Sequence, residues 1–504
     1  MRLSAVPLAL SLLVHSLPAA AEEGHVTFEA PGRYAHRAEL LSEIPLVAPI
    51  DGVPADLGQE LFGYHWLRLT PRLNWSEKII FTGQIDLLRG AVWGDTADEV
   101  SADDSGRDDL EGYKKVQPRW LFAELRGPLG QLTFGQTGSQ WGLGILANDG
   151  THESLFGDPL YGDIVERILY RTPPIAIVPL ESALVLAAGG DLVYRDNTAD
   201  VEEGDAAAQG VLAAVLVNES EGRQNQIGTY AVYRQQTNEM GDDLRIVAVD
   251  LFFKHETGLP GASESAKASM AFEGVLVAGE STFLRSIDRA EQDVLQGGLA
   301  FILGAETRRL QAGIEFGWAS GDADTLDDTV SRFAFDPDHN VGLVLFDEVM
   351  AWQTARSATL GANPEVAGRP SRGIGLLATN GAVSGTMYVN PTARLRLTPR
   401  FDVRAGLLIA QATSDVVDPF HQKMSGSPQN YRGGPAGARD LGVELDAGLR
   451  WERPLQPPRR NWGGVTLVAG LEGGVLLPGH AFDDAEGNRM DPVGMGRLRL
   501  GLEW

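Results

Sequence analysis

The residue types that could do chemistry are spread thinly along this chain of 504 residues. His25, His36, His65, His152, His255, His339, His421 and His480 contain no pair at the spacing that would set two imidazoles on one helix face around a metal. There is no Gly-x-Ser-x-Gly elbow, and Gly135-Gln136-Thr137-Gly138 lacks the lysine of a phosphate loop. Ser139 or Ser154 could be set beside His152 as nucleophile and base, but nothing in their setting supports it. No catalytic residue is assigned, no enzyme is expected and no cofactor is called for, because a functional claim must rest on a site. Gly321-Asp322-Ala323-Asp324, followed by Asp327 and Asp328, has a loosely calcium-like spacing. It lacks the closing glutamate of the full loop signature, so no metal site is assigned and these carboxylates stand as a calcium candidate only.

The more telling side chains are arginines and carboxylates that recur at alternate positions. From Arg309 to Trp318, Leu310, Ala312, Ile314, Phe316 and Trp318 fall on one face, and Arg309, Gln311, Gly313, Glu315 and Gly317 on the other. Successive strand side chains point to opposite faces, so this is a strand with one apolar and one wet side. Leu441 to Trp451 repeats the pattern, with Glu444, Asp446 and Arg450 on its polar face, and so does the C-terminus, with Arg497 and Arg499 opposite Leu498, Leu500, Leu502 and Trp504. Such strands are expected near 61–75, 79–90, 116–126, 131–137, 165–172, 182–194, 210–217, 226–236, 244–254, 266–280, 292–304, 308–319, 386–397, 401–413, 438–452, 464–476 and 494–504. One more upward strand is needed before them, from His25–Ala30 or Glu39–Ala48.

Two features separate this pattern from a soluble sandwich. The strands are roughly ten residues long, the length of a tilted strand crossing a bilayer. The connections alternate between tight turns (Asn74–Lys78, Gly127–Gly130, Thr398–Arg400) and long segments (Ala91–Gln117, Gly138–Asp163, Ser320–Val383, Ser414–Gly437). Short periplasmic turns and long external loops belong to outer-membrane barrels. The expected fold is therefore all-β: a single transmembrane antiparallel β-barrel of about 18 strands, with 16 as the alternative, carrying long acidic external loops. No other stretch reads as a membrane helix.

Met1-Arg2, the apolar run Leu8–Leu17 and Pro18-Ala19-Ala20-Ala21 have the parts of a secretory signal peptide cut after Ala21. The expected organisation is a signal peptide over 1–21, a lead-in over 22–58 that can hold the first strand, and the barrel over 59–504. The chain has no cysteine, which excludes a disulfide framework and a lipid-modified N-terminal cysteine. Its 68 Asp+Glu outweigh 42 Lys+Arg, which argues against nucleic acid as a partner. The acid sits in loops: Asp103 and Asp104 in one, Asp200, Glu202 and Glu203 in another. Solvation explains such runs, and divalent-cation binding at the outer surface is the functional alternative.

On the alternation, Arg68, Arg72, Arg309, Arg394, Arg396, Arg404, Arg450, Arg497 and Arg499 point inward, as do Asp86, Glu315, Glu444 and Asp446. Either these pair and brace the wall, or the arginines form an electropositive path for anionic solutes. The loop that narrows the lumen is either Ser139–Gly150 or the long Ser320–Val383 segment.

The run Trp120-Leu121-Phe122-Ala123-Glu124-Leu125-Arg126-Gly127-Pro128-Leu129-Gly130-Gln131-Leu132-Thr133-Phe134-Gly135-Gln136 resembles a strand, tight turn and strand of Gram-negative porins. Gln136 stands where those proteins often carry arginine, which removes one lumenal charge familiar from the family. Ser139 to Gly150 is similar to a porin-like outer-membrane family of uncertain substrate. Gly317-Trp318-Ala319-Ser320-Gly321-Asp322 and the strand around Glu444 and Asp446 resemble alginate-export-type barrels, and the terminal Trp504 resembles an outer-membrane assembly signal. The resemblance implies an outer-membrane channel for passive diffusion of small hydrophilic solutes, with anionic ones favoured if the arginines set the field. The alternative is a structural or adhesive barrel with a plugged lumen. The implied partners are outer-membrane lipids, the barrel-assembly machinery and small solutes, and oligomerisation is left open.

Overall fold

The computed structural model describes residues 26–46, 56–94, 114–152, 154–159, 162–177, 181–220, 223–259, 266–283, 291–325, 327–370, 373–456 and 464–504. The expected signal peptide and the Asp103 loop lie outside them. The alternating strands close into one 18-stranded antiparallel barrel. In chain order they are β1 (Gly32–Leu41), β2 (Glu60–Leu69), β3 (Ile79–Gly94), β4 (Lys114–Gly127), β5 (Gly130–Gly138), β6 (Ile164–Arg171), β7 (Ser182–Arg195), β8 (Ala206–Ser220) and β9 (Arg223–Thr237). They continue as β10 (Asp243–Gly258), β11 (Lys267–Ser281), β12 (Gln292–Glu306), β13 (Leu310–Ala319), β14 (Thr386–Thr398), β15 (Phe401–Ala412), β16 (Asp440–Gln456), β17 (Val465–Pro478) and β18 (Val493–Glu503).

The seam closes between the first and last strands. β1 pairs with β18 from Arg33–Glu503 to Leu41–Met495, so no edge is left open to hydrocarbon. Val26–Glu29 extends β1 beyond a break at Pro31, and Arg72–Trp75 extends β2 beyond Pro71. Proline lacks the N–H the ladder needs, so both strands kink at the same level. The first strand thus falls between the two segments expected from sequence, overlapping each, and lies inside the 22–58 lead-in.

Alternation sets the outer surface. Leu121, Ile168, Leu212, Leu251, Leu276, Leu295, Leu445, Leu498 and Leu500 stand exposed around the barrel, Leu121 at 73%. Full burial of such a side chain is worth about 1.5–3 kcal/mol, so a continuous apolar belt is stable only against lipid. Trp75, Tyr170 and Tyr233 add exposed aromatics, the residue class of membrane–water interfaces.

The inward faces are not uniformly polar, contrary to expectation. From β8 to β12, Val211, Val215, Val217, Val232, Ala248, Phe252, Val275, Val277 and Ala300 are buried in one hydrophobic core inside the barrel. Both loops named as possible constrictions join that core: Trp141, Leu143 and Ile145 from 139–163, and Leu343, Val344, Phe346, Val349 and Trp352 from 320–385, with Ile44 and Leu57 of the N-terminal segment and Phe482 beside them. The second loop winds into a π-helical turn, Leu345–Met350, that runs directly into α1 (Ala351–Ala362). Together these loops form a plug folded back into the lumen.

Candidate functional site

The plug is tied to the wall by carboxylates, two of them set against a glycine in the left-handed region. Glu444 on β16 accepts the backbone N–H of Leu343, of Val344 (2.9 Å) and of Leu345 (2.7 Å), and so caps the start of the helical segment. Backbone amides at a helix start attract negative charge. Gly342, at φ 77°, permits the approach, since a Cβ there would lie 2.6 Å from Glu444 Oε1. Glu273 on β11 does the same for the first loop, accepting the N–H of Leu143 beside Gly142, at φ 53°. Trp141 Nε1 donates to Asp250 Oδ1 (2.6 Å) while its ring stacks on Tyr230 with centroids 5.1 Å apart. The loops meet at His339, whose Nε2 lies 2.8 Å from Glu315 Oε1 and whose Nδ1 lies 3.2 Å from the Leu143 carbonyl. Burial lowers the basicity of His339, but the adjacent Glu315 carboxylate more than offsets this and holds the imidazole above its ordinary value.

Opposite the apolar wall runs an arc of arginines from β14 through the seam to β4. Arg394 and Arg404 share Asp402, and Arg404 also donates to the Leu155 carbonyl at 2.8 Å. Arg450 bridges Glu452 (2.8 Å) and Glu503 (3.2 Å). Arg497 and Arg499 share Glu472 at 3.1 and 3.0 Å, and Arg37 and Arg499 share the loop carboxylate Asp158 at 2.8 and 2.9 Å. Although burial opposes it, these arginines hold the Asp158 carboxyl well below the usual carboxylate range. Further round, Arg33, Arg68 and Arg89 surround the Trp66 ring at 4.0, 4.6 and 5.8 Å from its centroid. Arg68 holds Asp86 through two bonds of 2.7 and 2.8 Å and donates to the Gly150 carbonyl. Arg119, fully buried at a bulge in β4, donates to Gln84 and to the Asp149 carbonyl. The arc therefore grips the 139–163 loop through that loop's carbonyls and one carboxylate.

Most of the inward candidates read from sequence lie on this wall: Arg68, Arg394, Arg404, Arg450, Arg497 and Arg499 in the arc, with Arg72 on the inward side of the β2 extension. Arg396 sits apart at the turn end of β14, bound to Glu306 at 3.1 Å. Arg309 is displaced from its expected place. It lies exposed in the 307–309 turn, because β13 begins one residue later at Leu310. The carboxylates divide too. Asp86 pairs with an arginine as expected, whereas Glu444 anchors the plug and Glu315 binds His339 and Tyr388. Asp446 lies buried between Glu444 and the plug. Gln136 donates to the Arg119 carbonyl, so the position lacking the familiar arginine still lies beside a lumenal one.

The remaining candidates act locally. Asp322 accepts the backbone N–H of Asp324 and of Ser331, and Asp327 that of Thr329. Asp324 accepts from the Gln422 amide. Among the described residues, no three carboxylate or imidazole groups gather as a metal site. Ser139 Oγ accepts from Arg167 (3.1 Å), Ser154 faces Asn340 (3.5 Å), and His152 faces Asp149 (3.5 Å). Trp504 closes the seam: its N–H and C=O exchange 3.0 Å bonds with Gly32, and its ring lies where a Gly32 Cβ would point.

Sequence reasoning missed Glu273, Asp250 and Asp158 as plug anchors. A signal was present: the apolar runs Trp141–Leu146 and Val341–Phe346 sit in the two loops expected to narrow the lumen, and apolar runs there call for buried partners on the wall.

No family model matches this chain. No curated protein matches it either. Among solved structures it is similar to Pseudomonas aeruginosa OccK11 (OpdR), at 12% identity and a TM-score of 0.45 over 96% of this chain and 97% of that one. Pseudomonas aeruginosa OpdQ gives 10% identity and a TM-score of 0.48 over 95% and 98%. Pseudomonas aeruginosa OpdK with vanillate gives 10% and 0.47 over 94% and 98%. The closed 18-stranded barrel and its exposed apolar belt give this chain the fold of a membrane-spanning β-barrel, into which two loops fold back.

Proposed function

We propose that the barrel is a passive channel for small hydrophilic solutes, with anionic ones favoured along the arginine arc. The carrying observation is the unbroken run of inward arginines in that arc: Arg394, Arg404, Arg450, Arg497, Arg499 and Arg37 are held side by side by carboxylates, and Arg89 beyond them donates to the neutral groups of Tyr64 and Gln117. A ring of fixed arginines lowers the cost of stripping water from an anion and raises it for a cation. Trp504 has the assembly role in this reading, because its bonds to Gly32 complete the seam.

A second reading, a structural barrel with a filled lumen, draws on the apolar core joining plug to wall. Single-channel recording of the purified, refolded barrel in a planar bilayer separates the two. The channel reading expects discrete steps with a reversal potential showing anion preference under a salt gradient. Absence of any steps in correctly folded, heat-modifiable protein rejects it in favour of the filled barrel. Steps with cation preference at every salt concentration reject the arginine path.

A further inference from the structure

A cavity lies at the loop end of the barrel, away from the arginine arc, between the plug and the β9–β12 wall. Its volume is about 250 Å³, more than the roughly 150 Å³ that accommodates a benzene ring in a protein interior. Ile246 on β10, Val277 on β11 and Val294 on β12 form its wall, and Phe333 and Leu377 of the plug cover it. The body of any occupant is therefore apolar.

The polar part of the lining is of another kind. Asp163 and Asp336 both line the cavity. Two hydroxyls also face it with no hydrogen-bond partner: Ser384 Oγ, on a residue 7% exposed, and Thr325 Oγ1, on one 9% exposed. A buried hydroxyl without a partner costs about 1–3 kcal/mol, and a ligand group would relieve that cost. Four carboxyls, those of Asp163, Asp196, Asp322 and Asp336, line the cavity against two guanidiniums, those of Arg234 and Arg332. Arg234 is bound to Asp196 and Gln236, and Arg332 donates to the Leu377 carbonyl at 2.7 Å. What remains for a ligand is negative charge and hydroxyl oxygens.

We propose that this cavity binds a small molecule with an aromatic or aliphatic body and a primary ammonium group. The ammonium lies against Asp163 and Asp336 with Ser384 and Thr325 as further acceptors, and the body packs on Ile246, Val277 and Phe333. The site is separate from the solute path and does not depend on whether the lumen conducts. Burial, and then the charge of Asp336 on Asp163 and of Asp338 on Asp336, with Asp196 near both, pushes the two carboxyls well above the ordinary carboxylate range, which favours a proton on the pair when the site is empty. An incoming ammonium replaces that proton, so binding releases one proton to solvent.

The test is isothermal titration calorimetry on the full detergent-solubilised barrel with 2-phenylethylamine, in two buffers of different ionisation enthalpy. Saturable binding with buffer-dependent heat is expected, and 3-phenylpropionate should not bind. Asp336→Asn removes the charge and should weaken the amine by about tenfold or more. Val277→Trp should abolish binding by filling the cavity from the wall. Because that variant alters a barrel strand, Ser384→Ala provides a milder one, with a loss of severalfold while heat modifiability is unchanged. Equal binding of 3-phenylpropionate, no saturation with 2-phenylethylamine, or full affinity in folded Val277→Trp would overturn the proposal. The bilayer recordings are read independently, so loss of one result leaves the other standing.

Discussion

The inner wall has two halves with opposite chemistry on the same strand geometry. From β8 to β12 a block of inward valine, alanine and phenylalanine is buried under the plug, with Asp250 and Glu273 set among them as anchors. From β14 through the seam to β4 the inward block is of arginines, and they meet the plug mainly through carbonyl groups and one carboxylate. A β-strand fixes which residues face inward, but the loop that covers them fixes what they face. Where the loop presents Trp141 and Phe346, the wall is apolar and dry. Where it presents the carbonyls of Gly150 and Leu155, the wall is cationic and polar.

In the channel reading proposed above, the first half does the mechanical work and the second the selecting, and the largest expected effect breaks that division. Trp352→Ala should destabilise the plug by about 3–5 kcal/mol, because the side chain is 1% exposed at the centre of the core and its indole N–H donates to Glu348. The readouts are a lower unfolding midpoint together with larger or noisier conductance. An unchanged midpoint would mean that the apolar half does not hold the plug.

A smaller effect should appear where the halves meet, at His339 and Glu315. The folded imidazole titrates above its free value, so its contribution is fully present below about pH 6.5 and is lost as pH rises through the raised folded value. Tyr388 also binds Glu315 and Asp338 adjoins the loop, but the His339 contact is the one that carries an imidazole, whose raised titration sets the pH dependence. His339→Gln should cost about 1.5–3 kcal/mol at pH near 6. The gap from wild type in thermal midpoint should close as pH rises. A gap constant with pH would remove His339 as the titrating contact.

The smallest effect on stability, and the sharpest on the second half, concerns Arg404 and Arg396. Arg404 contacts the inward loop through Leu155, whereas Arg396 sits at the turn end on Glu306. Arg404→Gln should erase most of the anion preference, and Arg396→Gln little of it, because exposed charges are screened within roughly 8 Å at physiological salt. Reversal potentials under a salt gradient measure both. Equal losses would spread selectivity along the whole arc.

Much of this was legible in the residues. Period-two alternation located the strands to within a few residues, since a slip of one position would turn every leucine of the belt inward. Turn lengths gave the order of short and long connections. Arg309 was misplaced because alternation runs on into a turn without changing its pattern, whereas only backbone pairing marks where the ladder stops. The anchors were not legible for a different reason. Glu273 and Glu444 look like any other inward carboxylate until an amide from a distant loop arrives.

The sequence by itself determined the barrel, because the strand repeat and the alternation of turn and loop are local properties that every segment states independently. Tertiary structure alone decided what fills the barrel. The plug joins residues far apart in the chain, Leu143 to Glu273 and Val344 to Glu444, and no local period records such a contact. Its apolar runs have no strand rhythm, and their partners are defined only once the closed wall brings them opposite.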